Sequence, residues 1–138
     1  LMFTYDAEID RVIDGDSIVL KYIDLGFQVK MSDVSVRLYE CDTPESRTTD
    51  KVEKHYGLIA KNYVKNCLQP GQKVQIKTYL DRRGKFGRIL GTIYDKGMKT
   101  ASLNTRLIRD HMAVHYTGQA KSKVKAAHIL NRKYIDLL

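Results

Sequence analysis

The chain has 138 residues, 43% of them hydrophobic, which suits one domain with a sizeable single core. Its 24 Lys and Arg outnumber 16 Asp and Glu, giving a formal charge of +8 and favouring polyanionic partners, nucleic acid or an anionic surface. No run approaches about 20 apolar residues, which excludes a helical membrane span. Val, Ile, Leu and Tyr along the whole length exclude intrinsic disorder.

The N-terminal part reads as β-structure. Leu1–Thr4, short and followed at once by charges, is not expected to be a secretory signal. Ala7-Glu8-Ile9-Asp10 alternates, and Asp14-Gly15 marks a turn before a strand that sets Ile18, Leu20 and Tyr22 on one face. Asp-Gly is favoured there because both central residues of a type I′ turn need positive φ. The stretch Asp24–Asp33 reads as a loose connection, after which Val34, Val36 and Leu38 alternate with Ser35, Arg37 and Tyr39. Asp42-Thr43-Pro44-Glu45 ends that strand, and Ser46–Lys54 is expected to be a surface loop.

From Tyr56 the period becomes helical: Ile59-Ala60, Tyr63-Val64 and Cys67-Leu68 recur until Pro70-Gly71 stops the helix. Val74, Ile76 and Thr78 form a strand, and the basic turn Arg82-Arg83-Gly84-Lys85 leads into another at Arg88–Tyr94. A helix over Ser102–His111 turns Leu103, Leu107 and Ile108 inward. The last helix, from Ser122, is expected to bury Val124, Ala127, Leu130, Tyr134 and Leu137 and to expose Lys121, Lys123, Lys125, Arg132 and Lys133. About five strands with helices between and after them predict an α+β class, one domain over residues 1–138. The expected architecture is a small closed or nearly closed barrel with helices packed outside; an OB-type barrel is one such solution.

Several motifs fail on inspection. Asp14-Gly15-Asp16 resembles the start of a calcium loop, but Ile18 stands at the third ligand position and no Glu closes the loop. His111 and His115 are spaced for one helical face, yet no His-Glu-x-x-His accompanies them, and they read as helix-end histidines. Two cysteines, Cys41 and Cys67, are too few for a disulfide framework or a Cys-rich zinc site and read as unpaired thiols. What remains is an acidic set in a basic chain: Asp14 and Asp16 at a hairpin, Asp42, Thr43 and Glu45 at a strand end. Arg37 and Arg88 accompany them. Carboxylates that hold a hard cation beside two guanidinium forks make a phosphoryl-transfer site.

Ile13-Asp14-Gly15-Asp16-Ser17, Arg37-Leu38-Tyr39-Glu40-Cys41-Asp42-Thr43-Pro44-Glu45 and Lys85-Phe86-Gly87-Arg88-Ile89-Leu90-Gly91 resemble, in order and spacing, the signature segments of the staphylococcal nuclease family. Val52-Glu53-Lys54-His55-Tyr56-Gly57 is similar to the family segment entering the first helix. The resemblance implies an OB-fold barrel with three helices and a Ca²⁺-dependent phosphodiesterase acting on DNA and RNA, with 3′-phosphate products. It also implies roles by position. Asp16, Asp42 and the Thr43 carbonyl would be the metal ligands, Glu45 the general base beside the attacking water, and Arg37 and Arg88 the catalytic phosphate ligands. Asp14 would lie nearby. Ser17 and Phe86 depart from the family's usual Thr and Tyr, and Tyr116 is the expected base-stacking platform.

Two rival readings remain. A non-catalytic nucleic-acid-binding module of the same fold would keep the basic surface, but a phosphate binder has no use for converging carboxylates. A peripheral membrane binder would need an exposed apolar face on the last helix, which the expected inward stripe denies it. Nothing in the sequence demands more than a monomer.

Overall fold

The computed structural model describes residues 3–80 and 88–138. The basic turn Arg82–Lys85, with Phe86 and Gly87 of the third signature segment, lies outside the described residues. The elements run β1 (Phe3–Asp14), β2 (Ser17–Gly26), β3 (Val29–Leu38), β4 (Cys41–Asp42), α1 (Lys51–Cys67), β5 (Lys73–Tyr79), β6 (Arg88–Tyr94), α2 (Leu103–Arg109), β7 (Val114–His115) and α3 (Lys121–Ile135).

Five strands close a barrel in the order β1-β2-β3-β6-β5, with β5 paired back onto β1. Neighbours are antiparallel except β3 and β6, which run parallel with Ser35 opposite Arg88 and Arg37 opposite Leu90. The alternation seen in the sequence fills the interior with Ile9, Ile18, Leu20, Val36, Leu38, Ile76 and Ile93, all at most 1% exposed. Helices α1 and α2 cover the barrel with Ala60, Val64, Leu103 and Leu107. This is the expected α+β class, an OB-like barrel with three helices. No helix among the described residues is long and apolar enough to cross a membrane.

Several local expectations are corrected. Asp24–Asp33 is not loose: β2 and β3 continue as one hairpin to Gly26 opposite Val29. The two loop residues there, Phe27 and Gln28, both have positive φ, the backbone state that a type I′ turn demands. Gly15 and Asp16 do not, so the Asp-Gly turn is of another kind. Gly15 is required by space instead, since a Cβ there would stand 2.8 Å from Thr43 Oγ1. Helix α1 begins at Lys51, inside the expected loop, because Asp50 caps it by accepting from the N–H groups of Val52 and Glu53.

The inner stripe of α3 is also different. Leu130, Tyr134 and Leu137 are 54%, 49% and 83% exposed, whereas His128 and Ile135 are buried and Val124 half-buried. Apolar residues occur all round this helix, so periodicity alone favoured the wrong face; the folded chain turns His128 and Ile135 inward instead. An exposed apolar face therefore exists on α3, contrary to the ground on which the membrane reading was set aside. His111 and His115 share no helix: His111 follows α2 with φ +63°, and His115 lies in β7. Both cysteines are unpaired, Cys41 buried and Cys67 half-buried.

Candidate active site

The signature acids and arginines meet at one end of the barrel, where β1 turns into β2 and β3 leads to β4. Asp14 and Ser17 face each other across the turn, and Ser17 pairs with Arg37 on β3. Val34, Val36 and Leu38 point inward, which turns Arg37 outward. The parallel register places Arg88 opposite Ser35, on that same outer face. The Leu38 N–H donates to the Asp16 carbonyl, and the Tyr39 N–H to that of Gly91, so three strands are stitched at this rim.

The chain then reverses through Glu40, whose φ is +55°. β4 pairs with β7, Cys41 opposite His115 and Asp42 opposite Val114. Buried Asn104 on α2 locks this corner: it accepts from the Ile93 N–H and donates to the carbonyls of Tyr39 and Gly91. The Cys41 thiol leans on the Asn104 carbonyl, and burial pushes its pKa up to about 12, so it stays a neutral structural thiol.

Around a cleft of about 660 Å³ stand Asp14, Asp16, Arg37, Asp42, Thr43, Glu45 and Arg88. Tyr116, Lys121, Lys125 and His128 complete its wall from β7 onward. One nitrogen of Arg37, Nη2, donates to Asp42 Oδ1 at 3.1 Å and to the Cys41 carbonyl at 3.2 Å, and lies 3.4 Å from Asp16 Oδ2. Asp16 Oδ2 also accepts from the Thr43 N–H at 3.0 Å. Burial pushes the Asp16 carboxyl above its ordinary pKa; Arg37 and the Thr43 N–H oppose this, and the charges of Asp42 and Asp14 add to it.

Glu45 is exposed and lines the cleft from the loop before α1. Gly57 sets its place: a Cβ on Gly57 would lie 2.5 Å from the Glu45 carbonyl carbon and oxygen, so the helix packs against that backbone only as glycine. Arg88 differs from Arg37. Its Nε and Nη2 are buried with no hydrogen-bond partner among the described residues, and the same holds for Thr43 Oγ1.

The donor set suits a hard cation. Asp16 and Asp42 converge through Arg37, and the Thr43 backbone follows Asp42 directly and bonds Asp16 through its N–H; carboxylate and carbonyl oxygens are the donors that Ca²⁺ takes. No group of three or more His, Cys, Asp or Glu side chains converges among the described residues. A cation here would therefore use two carboxylates with carbonyl and water oxygens, and Glu45 stands apart from it.

Two further residues carry no signal in the sequence. One is Asn104. The other is His128, which belongs to neither expected face of α3 and enters the cleft wall with Nε2 2.7 Å from Asp42 Oδ2.

Residues 35–134 match the staphylococcal nuclease homologue family, a span holding Arg37, Asp42, Thr43, Glu45 and Arg88. The chain belongs to the staphylococcal nuclease family. Asp16 lies outside the matched span, and the barrel brings it to the others through β2–β3 pairing. Among relatives, the chain is 30% identical over 117 residues to endonuclease YhcR of Bacillus subtilis (strain 168), covering 81% of this chain and 9% of that protein. It is 30% identical over 135 residues to the SPbeta prophage-derived endonuclease YokF, and over 132 residues to endonuclease YncB, both of the same organism. These alignments cover 95% of this chain and 38% and 53% of the relatives, so the chain spans from about a tenth to about half of the staphylococcal nuclease relatives it matches.

Proposed function

We propose that this chain is a Ca²⁺-dependent nuclease that hydrolyses phosphodiesters of DNA and RNA, leaving 3′-phosphate ends. The observation that carries the reading is the pairing, in one cleft, of the Asp16–Arg37–Asp42 cluster with the unpartnered buried guanidinium of Arg88. Asp16, Asp42 and the Thr43 carbonyl would hold the Ca²⁺, which when bound polarises a phosphoryl oxygen and relieves repulsion between the carboxylates. Arg88 offers an anion the N–H groups of Nε and Nη2, two nitrogens that nothing in the described chain uses. Attack on phosphorus adds negative charge, so Arg88 and Arg37 favour the transition state over the bound diester. Glu45, exposed in the cleft, takes the proton of the attacking water as its oxygen bonds to phosphorus. The phosphorus–O5′ bond breaks, the phosphate stays on the 3′ oxygen, and the departing 5′ oxygen takes a proton from solvent to leave as a hydroxyl. Lys121 and Lys125 at the rim steer the polyanion, and Tyr116 offers a face on which a base can stack. All these residues come from one chain, so a monomer suffices.

Support for this reading also comes from the relatives, which are named endonucleases. The test is cleavage of DNA and of RNA with Ca²⁺, then with a chelator, alongside Asp42→Asn. Cleavage should need Ca²⁺ and should collapse in the variant, which keeps size but loses the charge. Undiminished cutting in chelator would remove the metal route, and no cutting under any condition would remove the nuclease reading.

A further inference from the structure

The site contains a contact that neither the signature segments nor the proposed chemistry uses. His128 sits on the buried stripe of α3, only 6% exposed, and its Nε2 lies 2.7 Å from Asp42 Oδ2, 86 residues away along the chain. An imidazole is costly to bury unless its N–H is paired, and Asp42 supplies that pairing. The other oxygen of Asp42 accepts from Arg37 at 3.1 Å. The carboxylate is thus held at both oxygens, by β3 on one side and α3 on the other. Each oxygen keeps a further lone pair for a cation.

We propose that His128 is a positioning residue for the metal site, holding the Asp42 carboxylate in the orientation in which it takes the cation. This rests on the reading of Asp42 as a metal ligand. A ligand clamped by donors behind it is ordered before the ion arrives, and loss of such a partner typically costs about 10- to 100-fold in metal affinity. Helix α3 is fixed to the rest of the protein independently. Tyr56 Oη donates to Asp136 Oδ1 at 2.7 Å, Asn131 donates to the Ala113 carbonyl, and Tyr134 stacks on His111 at 4.0 Å between ring centroids. The helix therefore does not depend on His128 alone for its place, and the role of the imidazole can be separated from that of a core filler.

The experiment is calorimetric titration of the protein with Ca²⁺, without nucleic acid, for wild type, His128→Phe and His128→Gln, with thermal unfolding of each in chelator. Phe keeps the ring volume and loses the donor; Gln keeps an amide N–H at a similar reach. His128→Phe should bind Ca²⁺ about 10- to 100-fold more weakly at a similar melting temperature, and Gln should recover most of the loss. Wild-type affinity in the Phe variant, or a Gln variant no better than Phe, would overturn the inference while leaving the metal reading intact. No Ca²⁺ binding by wild type would overturn both. Nuclear magnetic resonance of the wild type tests the contact without a variant: the buried imidazole N–H signal should persist when Ca²⁺ is added. Its disappearance on Ca²⁺ addition would mean that the contact breaks as the ion binds, and the inference would go.

Discussion

The groups that line the cleft follow two opposite plans. Asp16, Asp42, Arg37 and His128 are bonded to one another, with Thr43 N–H closing the set. Arg88, by contrast, keeps Nε and Nη2 without a partner among the described residues, and Glu45 stands exposed. A network whose members already satisfy each other is in place before any ligand arrives; buried donors left unsatisfied cost stability and persist where a ligand completes them. The first set is thus suited to hold a cation in fixed geometry, and the second to receive a phosphate. The proposed hydrolysis needs both sets, and each should fail in its own way.

The arginines separate the two plans most strongly. Arg37→Met leaves Asp16 and Asp42, whose side chains are 13% and 26% exposed, without their shared counter-charge. Stability in chelator should fall by about 3 kcal/mol. Arg88→Met should leave the melting temperature unchanged or higher, because its Nε and Nη2 have no bond to lose among the described residues. Its kcat should fall by about 10²- to 10³-fold, as for a lost transition-state donor. Thermal unfolding and steady-state kinetics on both variants check this, and equal destabilisation of the two would erase the distinction.

A smaller effect is expected at Gly57. Alanine there pushes into the Glu45 and Ser46 backbone, with Cβ 2.5 Å from the Glu45 carbonyl. Denaturant unfolding should show a loss of about 1–3 kcal/mol. Because the push falls on the loop that carries Glu45, kcat should drop while Ca²⁺ affinity, which rests on Asp16 and Asp42, holds. A variant with weakened Ca²⁺ binding and unchanged kcat would mean that Gly57 supports the cation set instead.

The smallest effect has the opposite sign. Burial raises the pKa of Asp16 in the folded protein, so the folded state holds a proton that the unfolded state has already released. Stability therefore falls as pH rises from the ordinary carboxylate value through the raised one, and the ionised group is a burden above it. Asp16→Asn removes the burden. In chelator at neutral pH it should melt slightly higher than wild type, with the gain vanishing below the ordinary carboxylate pKa, although the proposed Ca²⁺ binding should be lost. A lower melting temperature at neutral pH would show that the Arg37 and Thr43 contacts outweigh burial.

How much of this was legible in the sequence follows from the kind of signal each part carries. Barrel strands alternate because one face is buried, and that made Val34–Tyr39 and Val74–Thr78 readable. The hairpin tip at Phe27-Gln28 has positive φ without glycine or asparagine, so composition gave no turn signal. The first turn of α1 exposes Val52 and has no inward period; its cue was the spacing of Asp50 and Glu53, a cap followed three residues later by an acid. Around the cleft, the residues grouped by short motifs were legible. His128 was not, because its meaning lies in a contact with Asp42 that only the folded chain creates. Gly57 stood within a resembling segment, but the reason for it, the backbone of Glu45 pressed against the helix, is visible only in three dimensions.

The claim that this cleft cuts nucleic acid, rather than merely holding it, turns on Glu45. A carboxylate contributes nothing to binding a polyanion, so Glu45→Gln should keep or improve affinity, whereas cleavage should fall by about 10²-fold or more if this group takes the proton of water. The decisive measurement is Kd and single-turnover cleavage on one short single-stranded DNA, wild type against Glu45→Gln, at fixed salt and saturating Ca²⁺. Unchanged or tighter binding together with steeply slowed cleavage is the expected result. Cleavage intact in Glu45→Gln would contradict the assignment of the base, and tight binding by a wild type that never cuts would make the domain a binding module.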